Sequence, residues 1–171
     1  TSHVPEGSDL CITPVSAPEN HYVRIKADNR LEADGTLRGT FTLTAEGQSD
    51  SNIRRIFTTG FQSEWKSTME RQLLAISPKA RLLSVDYGKN PKDYQAAPIK
   101  ITFRYEIPDY ALKGEGEMFF RPMVMNNLYN QVRSYMWIDT SVENRKYGFK
   151  DGCSRLVEHM EAIENLGAID T

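Results

Sequence analysis

Between Arg30 and Phe61 the hydrophobic period of the chain changes, and few folds accommodate that change. In RLEADGTLRGTFTLTAEGQ, Leu37, Gly39, Phe41, Leu43 and Ala45 alternate with Thr36, Arg38, Thr40, Thr42 and Thr44, which places the two sets on opposite faces of a strand. Asp34 and Gly35 stand just before this run, where a hairpin turn needs residues tolerant of positive φ. Upstream, HYVRIKA alternates Tyr22, Arg24 and Lys26 against Val23, Ile25 and Ala27. Two half-buried strands joined by Asp-Gly make an antiparallel hairpin with one wet and one dry face. After Gly47 the apolar positions become Ile53, Ile56, Phe57 and Phe61, a helical spacing, with Asp50 or Ser51 as cap and Arg54 and Arg55 on the outer side.

A second helix follows, with Ser63 as cap and Trp65, Met69 and Leu73 four residues apart, and Ser77 and Pro78 end it. ARLLSVDYG reads as a strand, and the alternation of Ile99, Ile101, Phe103, Tyr105 and Ile107 between Pro98 and Pro108 as another. A further strand is expected from Gly116 to Arg121. In MNNLYNQVRSYMWIDTS, Leu128, Val132, Tyr135 and Met136 fit a helix while YMWID fits a strand, and we place a strand near Tyr135 to Asp139. From Asp151 on, Leu156, Val157, Met160 and Ile163 form a helical stripe, yet the same segment suits an edge strand, and both readings stand. Strands joined by short turns, with a helical pair inserted at about residues 50–77, make an α+β domain, mainly antiparallel and sandwich-like. It extends over residues 21–171, behind a linker or arm at residues 1–20 that carries Pro5, Pro14 and Pro18.

The 171 residues match one domain, and 39% hydrophobic with 26% charged residues matches a globular one. A net charge of -2, from 21 basic and 23 acidic groups, disfavours a nucleic-acid partner. No apolar run reaches the roughly 20 residues that span a bilayer, and the first 20 residues lack the basic start and apolar centre of a signal peptide.

Candidate chemistry is sparse. His3, His21 and His159 stand far apart with no metal-ligand spacing, so no metal or cofactor is expected. His159 lies six residues after Cys153, but a thiol beside an unrelated histidine explains that spacing better than a nucleophile and base. Glu115 with Glu117, and Glu106 with Asp109, read as solvated carboxylates. Cys11 and Cys153 can close one long loop if their Cα atoms come within about 7 Å, and two ordinary buried thiols are the other reading. Tyr129, Tyr135, Trp137 and Tyr147 cluster within twenty residues; exposed, they would stack on a sugar or anchor a peptide, and buried, they belong to the core.

Three stretches, NHYVRIKADNRLEADGTLRGTFTLTAEGQSDSNIRRIF, SPKARLLSVDYGKNPKDYQAAPIKITFRYEIPDYALKGEGEMFF and SVENRKYGF, carry a resemblance. Their Asp34-Gly35 hairpin with Leu37 and Gly39, the helix arginine at Arg54, the strand from Pro98 to Ala111 and the run Glu143 to Phe149 are similar to the segment that follows the transglutaminase-like core in multidomain bacterial exported proteins of unknown function. It covers the chain from about Asn20 to Phe149. The resemblance implies a parent with a papain-like domain bearing a Cys, His and Asp triad, and this region as a β-rich accessory module beside it. No triad motif occurs in this chain, so Cys11 and Cys153 take no nucleophile role. Export to the periplasm or cell surface is also implied, where a Cys11–Cys153 bridge is chemically feasible. The expected function is a noncatalytic accessory or interaction domain whose partner is the neighbouring transglutaminase-like domain. The alternative is a carbohydrate- or peptide-binding module built on Tyr129, Tyr135 and Trp137.

Overall fold

The computed structural model describes residues 17–95, 98–133 and 154–162. A short 3-10 turn at Pro18–Asn20 leads into strand β1 (Tyr22–Leu31), which pairs antiparallel with β2 (Leu37–Glu46) from Tyr22 opposite Glu46 to Leu31 opposite Leu37. The alternation read from the residues governs burial: Val23, Ile25, Ala27, Phe41, Leu43 and Ala45 are buried, while Arg24, Lys26, Asp28 and Arg30 are exposed. At the tip Gly35 adopts φ 86°, and Asp34 Oδ1 accepts a 2.8 Å hydrogen bond from the Thr36 amide. That bond holds the Asp34 carboxyl below its ordinary range. Amides of Tyr110 and Ala111 donate to the Gly35 carbonyl at 2.9 and 3.1 Å, which ties the tip to a distant loop.

Strand β4 (Ile99–Ile107) pairs antiparallel with β2, and β3 (Arg81–Asp86) pairs antiparallel with β4 through a bulge between Leu82 and Ser84. On the other edge β7 (Arg155–Ala162) runs parallel to β1, with Ile25 opposite Leu156 and Asn29 opposite Met160. The five-stranded order is β3-β4-β2-β1-β7, mixed but mostly antiparallel. Over its described part, Arg155–Ala162, the tail segment that fits either a helix or an edge strand is a strand, and its period of two turns Leu156, Glu158 and Met160 to the side of Ile25, Ala27 and Asn29. Two short strands, β5 (Leu112–Lys113) and β6 (Met118–Phe119), form a separate hairpin. This is shorter than the strand expected from Gly116 to Arg121, and it is the second sheet among the described residues; helices cover the inner face of the large one.

Helices α1 (Gln48–Thr59), α2 (Trp65–Leu73) and α3 (Asn126–Arg133) pack there through Ile53 and Phe57, Trp65, Met69 and Leu73, and Leu128 and Tyr129. Phe57, Trp65 and Tyr87 meet edge to face at centroid distances of 5.1, 5.7 and 5.4 Å. The outer face of the sheet carries threonines and surface ion pairs such as Arg38–Glu106 at 3.6 Å, each worth at most about 1 kcal/mol.

Three expectations about the helices are corrected. Arg54 does not face outward: it is 2% exposed, whereas Ile56 lies at the margin and Phe61, past the extended Gly60 that ends the helix, is 76% exposed. Neither Asp50 nor Ser51 caps α1; the N-cap is Gly47 at φ 64°, and the Gln48 amide donates to His21 Nδ1 at 3.1 Å. A Cβ on Gly47 would lie 2.3 Å from the Asn20 carbonyl oxygen and 2.5 Å from His21 Nδ1, so glycine meets both the conformational and the steric demand. Ahead of α2, a 3-10 turn at Gln62–Glu64 is closed by Glu64, whose Oε2 accepts from the Phe61 amide at 3.2 Å, and Ser63 caps nothing.

Candidate functional site

Four features of the described residues depart from plain core and plain surface. In the first, the Arg54 Nε donates to Asp50 Oδ2 at 2.6 Å, Arg54 Nη1 donates to the Pro91 carbonyl at 3.2 Å, and Asp50 Oδ1 accepts from the Ile99 amide at 2.7 Å. One turn of α1 thus fastens the loop after β3 and the first residue of β4. A buried charge pair satisfied in this way fixes geometry, and removing one partner costs about 3–5 kcal/mol.

A second polar chain crosses the sheet. Asn29, Gly39 and Tyr105 stand opposite one another on β1, β2 and β4. Because Gly39 has no side chain, the Tyr105 hydroxyl reaches over it and donates to Asn29 Oδ1 at 2.5 Å. Asn29 Nδ2 donates to Glu158 Oε1 at 2.6 Å, and the same carboxyl accepts the amides of Val124 and Met125 at 3.0 and 3.2 Å. Burial pushes the Glu158 carboxyl above its ordinary range, against the downward pull of Met125, Val124 and Asn29. Burial likewise pushes the Tyr105 phenol up, so it stays a donor. This chain joins β4, β1 and β7 to the segment that enters α3.

Third, an apolar cleft of about 280 Å³ opens between the inner face of the sheet and the three helices. Phe41, Leu43 and Phe103 form its floor, Ile53 and Met69 part of its walls, and Leu128 and Val132 close it from α3. Asn52, Arg55, Gln72 and Gln131 are its polar lining residues, each at least partly exposed. Packed interiors hold few voids larger than a water molecule, so a cleft of this size is a feature in its own right.

Fourth, the β5–β6 hairpin presents Leu112 and Phe119 as a directly opposed pair, 73% and 59% exposed, with Met123 also exposed a few residues on.

Of the aromatic candidates, Tyr129 lies on α3 and is 8% exposed within the core cluster. Tyr135, Trp137 and Tyr147 fall outside the described residues, as do Cys11, Cys153 and His3 and the strand expected near Tyr135 to Asp139. His159 sits on β7 opposite Asp28, and His21 is buried at the start of α1. No group of three or more His, Cys, Asp or Glu converges into a metal-binding arrangement among the described residues. None of their helices is long and apolar enough to cross a membrane. The cleft leaves no signal in the sequence because its lining is drawn from five separate elements, β2, β4, α1, α2 and α3. The hairpin pair was hidden because two-residue strands leave no period to detect. Compared with protein-family models, curated proteins and solved structures, the chain matches none, and nothing there links it to a transglutaminase-like protein.

Proposed function

We propose that this chain is a noncatalytic accessory domain that docks on a transglutaminase-like neighbour within a larger exported protein. The observation that carries this reading is the apolar side of the β5–β6 hairpin, where Leu112 and Phe119 are both turned to solvent. Paired exposed hydrophobes on a short, ordered hairpin are costly on a lone surface and useful at an interface. The occupant is taken from the resemblance, in which a transglutaminase-like core precedes this segment. A supporting observation is that Asp50, Arg54, Asn29, Tyr105 and Glu158 bond to one another and to backbone, an arrangement that positions elements of a scaffold. Export to the periplasm or cell surface, with a Cys11–Cys153 bridge, belongs to the same proposal.

Hydrogen exchange tests it, on this domain alone and on the parent polypeptide. Amides of residues 112–119 should exchange at least about tenfold more slowly when the neighbour is attached. Replacing Leu112 and Phe119 together by Ser should abolish that protection without moving the melting temperature of the isolated domain. Equal exchange with and without the neighbour overturns the docking.

A further inference from the structure

We propose that the cleft between the sheet and the three helices binds a medium-chain fatty-acid anion, with its hydrocarbon chain against Phe41, Leu43 and Met69 and its carboxylate at the Arg55 guanidinium. Three properties of the cleft select this chemistry. Its floor comes from β2 and β4 and its walls from α1, α2 and α3, and these surfaces are apolar, so the buried part of an occupant can make no demand for hydrogen bonds. Its space of about 280 Å³ is bounded by a sheet and three helices, which admits a thin flexible chain more readily than a folded protein surface. Its polar lining consists of Asn52, Gln72, Gln131 and the cation Arg55, with no Asp or Glu among the described lining residues. Arg55 is exposed and forms no ion pair among the described residues, in contrast to its neighbour Arg54, which is committed to Asp50. Apolar walls with a cationic rim are complementary to an alkyl chain that ends in a carboxylate. The site shares no residue with the β5–β6 hairpin, so it stands or falls apart from the docking proposal.

The test uses the full chain and displacement of a dansyl-labelled undecanoate probe by laurate or by dodecanol, below the concentrations at which either aggregates. Laurate should displace the probe from one saturable site. Arg55→Glu should weaken laurate by about tenfold or more while leaving dodecanol nearly unchanged, since the alcohol carries no charge. Ile56→Trp, a substitution at a half-exposed lining position, should fill the mouth and block both ligands with an unchanged melting temperature. No displacement by laurate, equal loss of laurate and dodecanol in Arg55→Glu, or undiminished binding in a folded Ile56→Trp would each overturn the proposal. If Ile56→Trp does not fold, the contrast between laurate and dodecanol in Arg55→Glu still decides it.

Discussion

A β-carbon on Gly39 would stand 2.2 Å from Asn29 Oδ1 and 2.9 Å from the Tyr105 hydroxyl, inside the path of the hydrogen bond that joins them. Neither neighbour can withdraw cheaply, because Asn29 is tied to Glu158 and Tyr105 is fully buried in β4. Gly39→Ala is therefore expected to lower stability by about 2–4 kcal/mol, combining overpacking with loss of a buried hydrogen bond. Tyr105→Phe removes the hydroxyl alone and should cost less, about 1–3 kcal/mol, by leaving Asn29 Oδ1 unsatisfied. Urea unfolding of both variants checks the order, and an alanine at position 39 that costs nothing would contradict the crossing geometry. At this scale the residues were only partly legible. Gly39 declared itself as a strand position on the inward face, but the reason it is glycine depends on side chains from two other strands. Arg54 was misplaced for a similar reason: a charged residue reads as solvent-facing until its partners are known, and here Asp50, Asn90 and Pro91 supply them.

Among the elements, β1, β2 and β4 were plain because alternation is written into each strand separately. The core positions of α2 were plain for the corresponding reason at helical spacing. The start of α1 was not, since its N-cap is a glycine and the first helical amide finds its acceptor in the imidazole of residue 21, ahead of β1, which no local capping pattern contains. Strand β7 was ambiguous because it carries a charged group inward: Glu158 breaks the apolar pattern in order to hold Asn29 and the amides ahead of α3. That inward carboxyl has a consequence for pH. Its folded-state pKa lies above its ordinary value of 4.5, chiefly through burial, so the fold binds this proton more tightly than the unfolded chain does. Its linked contribution is fully present below the ordinary value and is lost as pH rises through the raised one. Asp34 has the opposite sign: its lowered pKa stabilises above the ordinary value of 3.8 and that contribution fades in acid. The stability of the native chain minus that of Glu158→Gln should therefore shrink as pH rises from about 4 to about 7, though the amide is weaker overall because it offers fewer acceptors to Val124, Met125 and Asn29. Urea midpoints of the two proteins across that range measure the difference, and a difference that grows with pH would refute the assignment.

Across the whole molecule, the large sheet joins the β1–β2 and β3–β4 hairpins through a longer-range β2–β4 pairing and adds the most distant closure at β7. The α+β class was legible from strand and helix periods, but the parallel partnership of β1 and β7 was not, because Val23 and Ser154, which bond at 3.0 Å, lie 131 residues apart. Such a pairing is entropically expensive and forms late or needs prior order in the elements it joins. The antiparallel β1-β2-β4-β3 unit with α1 and α2 holds most of the buried apolar side chains, including Phe41, Phe57, Trp65, Leu73 and Ile101. Helix α3, by contrast, draws on Glu158 for acceptors ahead of its first turn and packs on the core through side chains that include Leu128, Tyr129 and Val132. A chain ended at Cys153 should accordingly keep a cooperative but lower-melting core while the amides of residues 126–133 lose their exchange protection, because Val124, Met125 and Asn29 all lose the same carboxyl at once. Native-state hydrogen exchange separates the outcomes. Retained protection in α3 would mean that its apolar contacts suffice, and complete unfolding would mean that β7 belongs to the folding core itself, so either result would refute a division into a local core and a distant clasp.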